Sequence, residues 1–248
     1  MNIQVVGLGL IGGSLCKTIK RKTAHRVFGM DRDPETVKKA LASGAIDEEG
    51  NFETLPKADL TIVCLYPEGT VDFLLEQRER FRKGSLVIDV CGVKGTVVSA
   101  AAAPLKECGV RFVGCHPMAG RERGGFAHAT GDLFRGAHYI LTRDDSVPQE
   151  SIHLLEQLVT FMGCADVVFS DPAAHDERIA YTSQLMHVMA LALCDQHLLF
   201  DSYGFEGGSF RGATRVAALD PKLWCELFWA NKETLANLTD ELTERLGG

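Results

Sequence analysis

The sequence predicts an α/β protein, with a mainly parallel β-sheet in its first two thirds and a second, smaller all-helical domain after it. Three observations predict this: short β-branched runs separated by helical patterns, a glycine-rich turn after the first run, and long apolar helical patterns after Ser170. Strands that alternate with helices form βαβ units, in which the strands lie parallel. We therefore expect two domains, at residues 1–170 and 171–248.

The predicted strands are short and almost continuously apolar, which is typical of strands that helices cover on both faces. They are NIQVVGLG, RVFGMD, LTIVCLY, SLVIDV, VRFVG, HYILT and ADVVFS. In the second domain, Asp171 with Pro172 and Asp220 with Pro221 each place a capping side chain before a proline, which is a helix start signal. The segments after these signals, DPAAHDERIAYTSQLMHVMALALCDQHLLF and KLWCELFWANKETLANL, predict two long helices.

The composition limits the partners and the compartment. With a net charge of −7 and a pI near 5.6, the chain has no basic patch for nucleic acid or for an anionic membrane surface. The first residues run directly into a strand pattern and no apolar run reaches bilayer length, so we expect a cytoplasmic protein. The eight cysteines stand singly, which favours reduced thiols over disulfides or a metal site.

The turn after the first strand contains the strongest single motif for a cofactor. Gly7, Gly9 and Gly12 form GxGxxG between a strand and a helix, with Leu10 and Ile11 inside the same turn. In a Rossmann-type fold these glycines allow a tight turn, close approach of the backbone to a pyrophosphate, and close helix packing. We therefore expect all five residues to bind a dinucleotide.

The second strand ends at Asp31, about 20 residues beyond the motif, where a carboxylate accepts hydrogen bonds from the ribose of NAD. Arg32 follows and is a candidate for binding a 2′-phosphate, but Asp31 would repel that phosphate. The sequence thus favours NAD over NADP. The alternative is that Asp31 only caps the next helix, although Asp33 is better placed for that task.

His116 follows the strand VRFVG, so we expect it at the carboxyl edge of the sheet, where open α/β sheets bind ligands. Pro117 restricts the backbone of His116 to extended conformations. A histidine of ordinary pKa, near ~6.5, accepts a proton at neutral pH and is a candidate base beside a nicotinamide. The alternative is a histidine whose ring only bonds the backbone of a tight loop.

Several motifs, in order along the chain, resemble the prephenate dehydrogenase family, including its arogenate-using members. They are GLGLIGGS, GVKG, HPMAGRERGG, the HD of DPAAHD, the histidine of SQLMHVMA, and FRGATRVAALDPKLW. The resemblance implies NAD-dependent oxidation of prephenate with loss of CO2, which gives 4-hydroxyphenylpyruvate for tyrosine synthesis. It also implies a homodimer built by the helical domain.

The resemblance assigns roles to individual residues. His116 would be the catalytic histidine that takes the proton of the substrate hydroxyl. The expected substrate-binding residues are Gly92, Lys94, Glu122, His187 and Arg215. Arg215 would bind a substrate carboxylate, while Lys94 is either an electrostatic contact or merely solvated. Trp224 matches an aromatic residue near the site entrance, with an ordinary helix-core anchor as the alternative.

Three positions depart from the family pattern: Gly92 replaces a serine, Gln184 replaces a histidine, and Gly212 replaces an aspartate. We interpret these changes as touching the substrate contacts more than the cofactor loop. Arogenate dehydrogenase therefore stays open as an alternative activity. A non-catalytic NAD-binding regulatory module is the alternative from another class, whereas a 3-hydroxyacid or imine dehydrogenase fits the motifs less well.

Overall fold

A computed structural model of the chain describes residues 1–142 and 147–248. These residues form two units, Met1–Pro172 and Ala173–Gly248, so the division falls two residues beyond the predicted boundary at 170. The first unit contains the sheet and the second contains helices alone among its described elements. The predicted fold class, a mainly parallel α/β sheet with a smaller helical domain, is confirmed.

The sheet of the first unit has eight strands in the order β3-β2-β1-β4-β5-β6-β7-β8. They are β1 (Asn2–Val6), β2 (Arg26–Met30), β3 (Glu48–Glu49), β4 (Leu60–Val63), β5 (Leu86–Asp89), β6 (Arg111–Pro117), β7 (His138–Thr142) and β8 (Asp166–Ser170). All neighbouring strands are parallel except β6 and β7, which are antiparallel. The carboxyl ends of β1 to β6 therefore meet at one edge of the sheet.

Helices cover both faces of this sheet. They are α1 (Leu10–Lys22), α2 (Pro34–Ala42), α3 (Pro67–Glu76), α4 (Gly95–Glu107) and α5 (Gln149–Met162). Residues of α1, α2 and α5 form one apolar core with one face of the strands, and residues of α3 and α4 form a second core with the other face. Adjacent strand residues divide between the cores, as Ile62 and Val63 do, because successive side chains of a strand point to opposite faces.

The second unit consists of short helical segments. Its α-helices are α6 (Pro172–Ile179, which begins at the division), α7 (Leu185–Cys194), α8 (Gly208–Thr214), α9 (Pro221–Ala230) and α10 (Lys232–Gly247). A π-helical turn, Ala180–Gln184, joins α6 to α7, and a 3-10 turn, Arg215–Ala217, follows α8. Asp220 caps α9 by accepting a hydrogen bond from the Leu223 N–H at 3.0 Å, as its position before a proline predicts.

Two details differ from the predicted elements. Strand β3 was not predicted, because it comprises only two exposed glutamates and has no apolar pattern to reveal it. Each of the two long predicted helices is broken, the first at the π-helical turn and the second at Asn231. Among the described residues, no helix has the length and apolar character needed to cross a membrane.

Candidate functional site

The glycine motif forms a tight turn between β1 and α1. Gly7 has a φ of +87°, in the left-handed region that favours glycine. A Cβ on Gly12 would lie 1.9 Å from the carbonyl oxygen of Gly7, so only glycine permits this packing of helix on turn. A Cβ on Gly9 would meet no atom of the described residues within 4 Å. The packing at Gly12 therefore leaves no space for a side chain, whereas the turn is open at Gly9. Gly9 lies directly before Leu10 and Ile11, the first two residues of α1.

Asp31 stands at the end of β2 and bonds this turn directly. Its carboxylate accepts hydrogen bonds from the N–H of Leu8 at 2.7 Å and from the N–H of Asp33 at 2.9 Å. Asp33, in contrast, is the cap of α2 and accepts from the N–H of Glu35 at 3.1 Å. The capping alternative for Asp31 is thus wrong. Arg32 is exposed beside it.

His116 lies in β6 at the carboxyl edge, on the same edge of the sheet as the glycine turn and Asp31. Its ring is half-buried, while Cys115 before it and Pro117 after it are buried. The strand order reverses between β1 and β4, and open α/β sheets bind their ligands at the carboxyl ends of the strands at such a point. The structure therefore brings the predicted cofactor residues and the predicted base to one edge.

Lys94 is fully enclosed, contrary to the solvated alternative. Its side chain and that of Asp89 are both 0% exposed, and the two form an ion pair. Lys94 also donates to the backbone carbonyl of Cys115 at 2.7 Å. A direct contact of Lys94 with substrate would require its ammonium to leave this position. Gly92, in the turn between Asp89 and Lys94, is half-buried.

Asp89 was missed by the sequence reasoning. A carboxylate that ends an otherwise apolar strand, five residues before a lysine, was the available signal. Glu122 lies on the exposed loop after β6, between Arg121 and Arg123, which are also exposed. Its role towards a substrate stays a prediction.

In the helical unit, His187 stacks on Trp224. Their ring centroids are 3.5 Å apart, with an angle of 29° between the ring planes. Nδ1 of His187 lies 2.8 Å from the carbonyl oxygen of Ser183, which only accepts, so Nδ1 carries a proton and donates it. Burial lowers the pKa of His187, and the bond to Ser183 opposes that effect in part. The neutral ring then leaves Nε2 as an acceptor.

Gln184 is part of the core of the helical unit rather than of its surface. Its amide donates to the carbonyl of Leu227 at 3.1 Å and accepts from the side chain of Asn231 at 3.0 Å. Asn231 also donates to the carbonyl of Asp176 at 2.7 Å. Gln184 therefore bonds the π-helical turn to α9 and to Asn231, the residue between α9 and α10. The interpretation that its change touches the substrate contacts stays a prediction.

Arg215 begins the 3-10 turn that packs against α7, the helix of His187. The arginine is exposed, and so is Gly212 in α8. The two elements that carry Arg215 and His187 are therefore neighbours in the helical unit. One of these predicted substrate-binding residues is cationic, and the other is a neutral hydrogen-bond acceptor. Within the described ranges 1–142 and 147–248, no group of three or more metal-ligating side chains occurs.

A doubly wound parallel sheet with a glycine turn at its switch point defines a dinucleotide-binding protein of the Rossmann class. Residues 15–168 match the family model of the prephenate dehydrogenase nucleotide-binding domain, and residues 171–247 match that of the prephenate dehydrogenase dimerization domain. The chain belongs to the prephenate dehydrogenase family, as its motifs predict.

Individual relatives agree with this family. The prephenate dehydrogenase of Bacillus subtilis is 32% identical over 96% of the chain, and the chain spans 66% of its length. A crystal structure of prephenate dehydrogenase from A. aeolicus, in complex with hydroxyphenyl propionate and NAD+, is 27% identical with a TM-score of 0.90, covering 100% of this chain and 88% of that one. The arogenate dehydrogenase of Synechocystis is also 27% identical, with a TM-score of 0.83 and coverage of 100% and 90%.

Proposed function

We propose that the protein catalyses the NAD-dependent oxidative decarboxylation of prephenate to 4-hydroxyphenylpyruvate. The observation that carries this proposal is the placement of His116 and the glycine turn at one edge of one sheet. The B. subtilis relative is a prephenate dehydrogenase, and the A. aeolicus structure holds NAD+ with a hydroxyphenyl ligand. Both support this substrate class and this cofactor.

The residues of the first unit fit NAD. The turn is open at Gly9, where a pyrophosphate approaches the backbone, and the N-terminus of α1 provides N–H groups and a positive dipole end. Asp31 is half-buried and keeps lone pairs for a ribose hydroxyl, since a carboxylate accepts about four hydrogen bonds. Its negative charge disfavours the 2′-phosphate of NADP, which Arg32 would otherwise attract.

When bound, NAD supplies a hydride acceptor at the edge of the sheet. His116 would accept the proton of the substrate hydroxyl while the C4–H bond gives up its hydride, so that the hydroxyl carbon becomes a carbonyl. The ring carboxylate would leave as CO2, and the electron pair of its C–C bond would complete the aromatic ring and turn the carbonyl oxygen into a phenolate. The phenolate would take back a proton, which gives the hydroxyl of 4-hydroxyphenylpyruvate. His116 needs a neutral ring for this task, and its half-buried position in β6 leaves part of the residue accessible to a substrate.

The helical unit would hold the anionic substrate. Arg215 provides a planar, permanently charged donor for a carboxylate. His187 is kept neutral by burial and offers Nε2 as an acceptor, with Trp224 fixing the plane of its ring. Glu122 and Gly92 remain candidates at the carboxyl edge of the first unit.

We assign a homodimer to the protein, because the helical unit leaves many large apolar side chains exposed. Leu198, Phe200, Tyr203 and Phe205 are 74–92% exposed within a single short segment. Exposed apolar patches of this kind mark interaction surfaces, and the unit matches a family model described as a dimerization domain. We also propose the cytoplasm as the compartment, because the eight cysteines stand singly in the sequence, which favours reduced thiols.

The test follows NADH or NADPH absorbance with prephenate and with arogenate, each supplied with NAD and with NADP. Production of NADH from prephenate is the expected result. NADH from arogenate alone would reassign the protein to the activity of the Synechocystis relative. No turnover in any mixture, with NAD still bound, would replace the enzyme with a non-catalytic NAD-binding module.

A further inference from the structure

Strand β6 changes its partner immediately before His116. Gly114 is the last residue of β6 that pairs with β5, where it lies opposite Asp89. Cys115 is the first that pairs with β7, where it lies opposite Leu141. The parallel ladder that holds β6 to β5 therefore ends one residue short of Cys115.

Two buried charges bond Cys115 where the ladder ends. Asp89 Oδ1 accepts a hydrogen bond from the N–H of Cys115 at 3.3 Å, and Lys94 Nζ donates to its carbonyl oxygen at 2.7 Å. Asp89 Oδ2 pairs with Lys94 and also accepts from the N–H of Cys91 at 2.9 Å. Both polar backbone groups of the residue before His116 are thus held by one ion pair.

Stability alone is a poor explanation for this pair. Removing two charges from water is costly, and well-packed apolar residues of similar size are often as stabilising as a buried ion pair. The pair instead provides directional bonds at a fixed place in the backbone. A proton acceptor requires such fixing, because a displacement of about 1 Å can lower a reaction rate on the order of 100-fold.

We propose that Asp89 and Lys94 are positioning residues for His116, and that they act through the backbone of Cys115. Lys94 then serves catalysis from within the protein rather than by contact with the substrate. This inference rests on the proposed function, since it gives His116 the role of base.

The kinetic test uses the double variant Asp89→Leu with Lys94→Met, which removes both charges and leaves no unpaired one. We expect kcat to fall at least about tenfold, with the KM for prephenate and the Kd for NAD within about twofold of the wild-type values. An unchanged kcat would overturn the proposal. A raised KM with an unchanged kcat would also overturn it, because Lys94 would then act on the substrate.

Two further variants distinguish a displacement of His116 from a loss of stability of the fold. The double variant Asp89→Asn with Lys94→Gln keeps an acceptor for the Cys115 N–H and a donor for its carbonyl. Its kcat should therefore lie closer to the wild-type value than the kcat of the apolar double variant, Asp89→Leu with Lys94→Met. Equal losses in the two double variants would contradict the hydrogen-bond argument. Leu105→Ala removes a fully buried side chain near the far end of α4 and serves as the destabilised control with a normal kcat.

Amide hydrogen exchange tests the same contacts without any turnover. In the wild-type protein the Cys115 amide should exchange slowly, and in the apolar double variant it should exchange at least about tenfold faster than in the wild type, with Phe28 in β2 unchanged. A wild-type Cys115 amide that exchanges as fast as Gly120 in the following loop would overturn the proposal, even if no double variant folds. If the wild type turns over neither substrate, the proposed function fails while the exchange data still decide whether the pair holds this backbone.

Discussion

The two units of this chain differ in how much of their apolar surface they bury. Both apolar cores lie in the first unit, where the sheet is covered on both faces. The helical unit buries few apolar side chains and exposes many: Tyr181, Met186, Met189, Leu191, Leu193, Leu198, Phe200, Tyr203, Phe205, Trp229 and Leu246. The first unit thus completes its own core, whereas the helical unit leaves much of its apolar surface uncovered.

The units also differ in the chemistry that they offer. The first unit provides the glycine turn, Asp31 and His116, the proposed proton acceptor, all at one sheet edge. The helical unit provides Arg215 and a neutral His187, which suit an anionic ligand with a hydrogen-bond donor. Variants in the first unit should therefore change turnover and cofactor binding, and variants in the helical unit should change assembly and substrate affinity.

The largest expected effect concerns His116. Replacing His116 with Asn should lower kcat on the order of 100-fold or more, because the hydroxyl proton loses its acceptor. The Kd for NAD, measured by titration calorimetry, should stay close to the wild-type value. A variant with normal turnover would remove His116 from the mechanism.

The second prediction concerns assembly of the helical unit. Phe200→Asp would place a carboxylate in an apolar interface, and we expect the dimer dissociation constant to rise roughly 30-fold or more. Sedimentation equilibrium measures this constant. Phe161→Asp is the matched control, because Phe161 is an exposed phenylalanine of the first unit. Equal weakening by both variants would contradict the assignment of the interface to the helical unit.

The third prediction separates substrate binding from chemistry. Arg215→Ala should raise the KM for the substrate about 20-fold, the effect of losing one hydrogen bond to a charged group. Arg211→Ala, which changes an exposed arginine of α8, is the control and should leave KM unchanged. A constant KM in Arg215→Ala would show that another residue binds the carboxylate.

The fourth prediction compares two glycines of one turn. Gly9→Ala should leave the fold stable, since its Cβ would meet no atom within 4 Å in the part of the chain that the structure describes. It should raise the Kd for NAD about tenfold by intruding on the pyrophosphate. Gly12→Ala should instead destabilise the fold, because its Cβ would overlap the carbonyl of Gly7. Thermal unfolding and NAD titration of both variants measure the two effects. Normal NAD affinity in Gly9→Ala would place the pyrophosphate elsewhere.

The sequence predicted the parts of the fold that depend on local patterns. The GxGxxG spacing and the seven apolar runs each have a local signal, and each forms the predicted element. The helix breaks have no such signal. No glycine or proline interrupts the sequence at the π-helical turn, and Asn231 ends α9 in a buried network with residues far away in the sequence. Contacts of this kind depend on tertiary structure, which periodicity does not contain.

The candidate site shows the same limit at the level of single side chains. The sequence placed His116 at the correct edge, because a strand pattern precedes it directly. The sequence did not decide whether Lys94 has an electrostatic role or is solvated. The five-residue spacing from Asp89 to Lys94 crosses a turn and matches no regular period of a helix or strand. The pairing of Lys94 with Asp89 belongs to the folded sheet, in which Asp89 at the end of β5 lies opposite Gly114 of β6.

The smallest expected effect concerns how the stability of the helical unit depends on pH. Burial lowers the pKa of His187 below its ordinary value of 6.5, so the folded helical unit favours the neutral ring. This preference contributes stability above the unfolded pKa of 6.5, and the contribution is lost as the pH falls through 6.5 to the lower folded pKa. Both tryptophans, Trp224 and Trp229, lie in the helical unit, so tryptophan fluorescence follows its unfolding.

We expect the free energy of unfolding of His187→Gln, followed by tryptophan fluorescence, to fall less than that of the wild type as the pH is lowered below 6.5. His25 is the matched control, because burial also lowers its pKa and it lies in the first unit. His25→Gln should leave the fluorescence-detected pH dependence unchanged. If His187→Gln kept the wild-type slope, the neutral state of His187 would not be linked to the folding of the helical unit, and its assignment as a hydrogen-bond acceptor for the substrate would lose its physical basis.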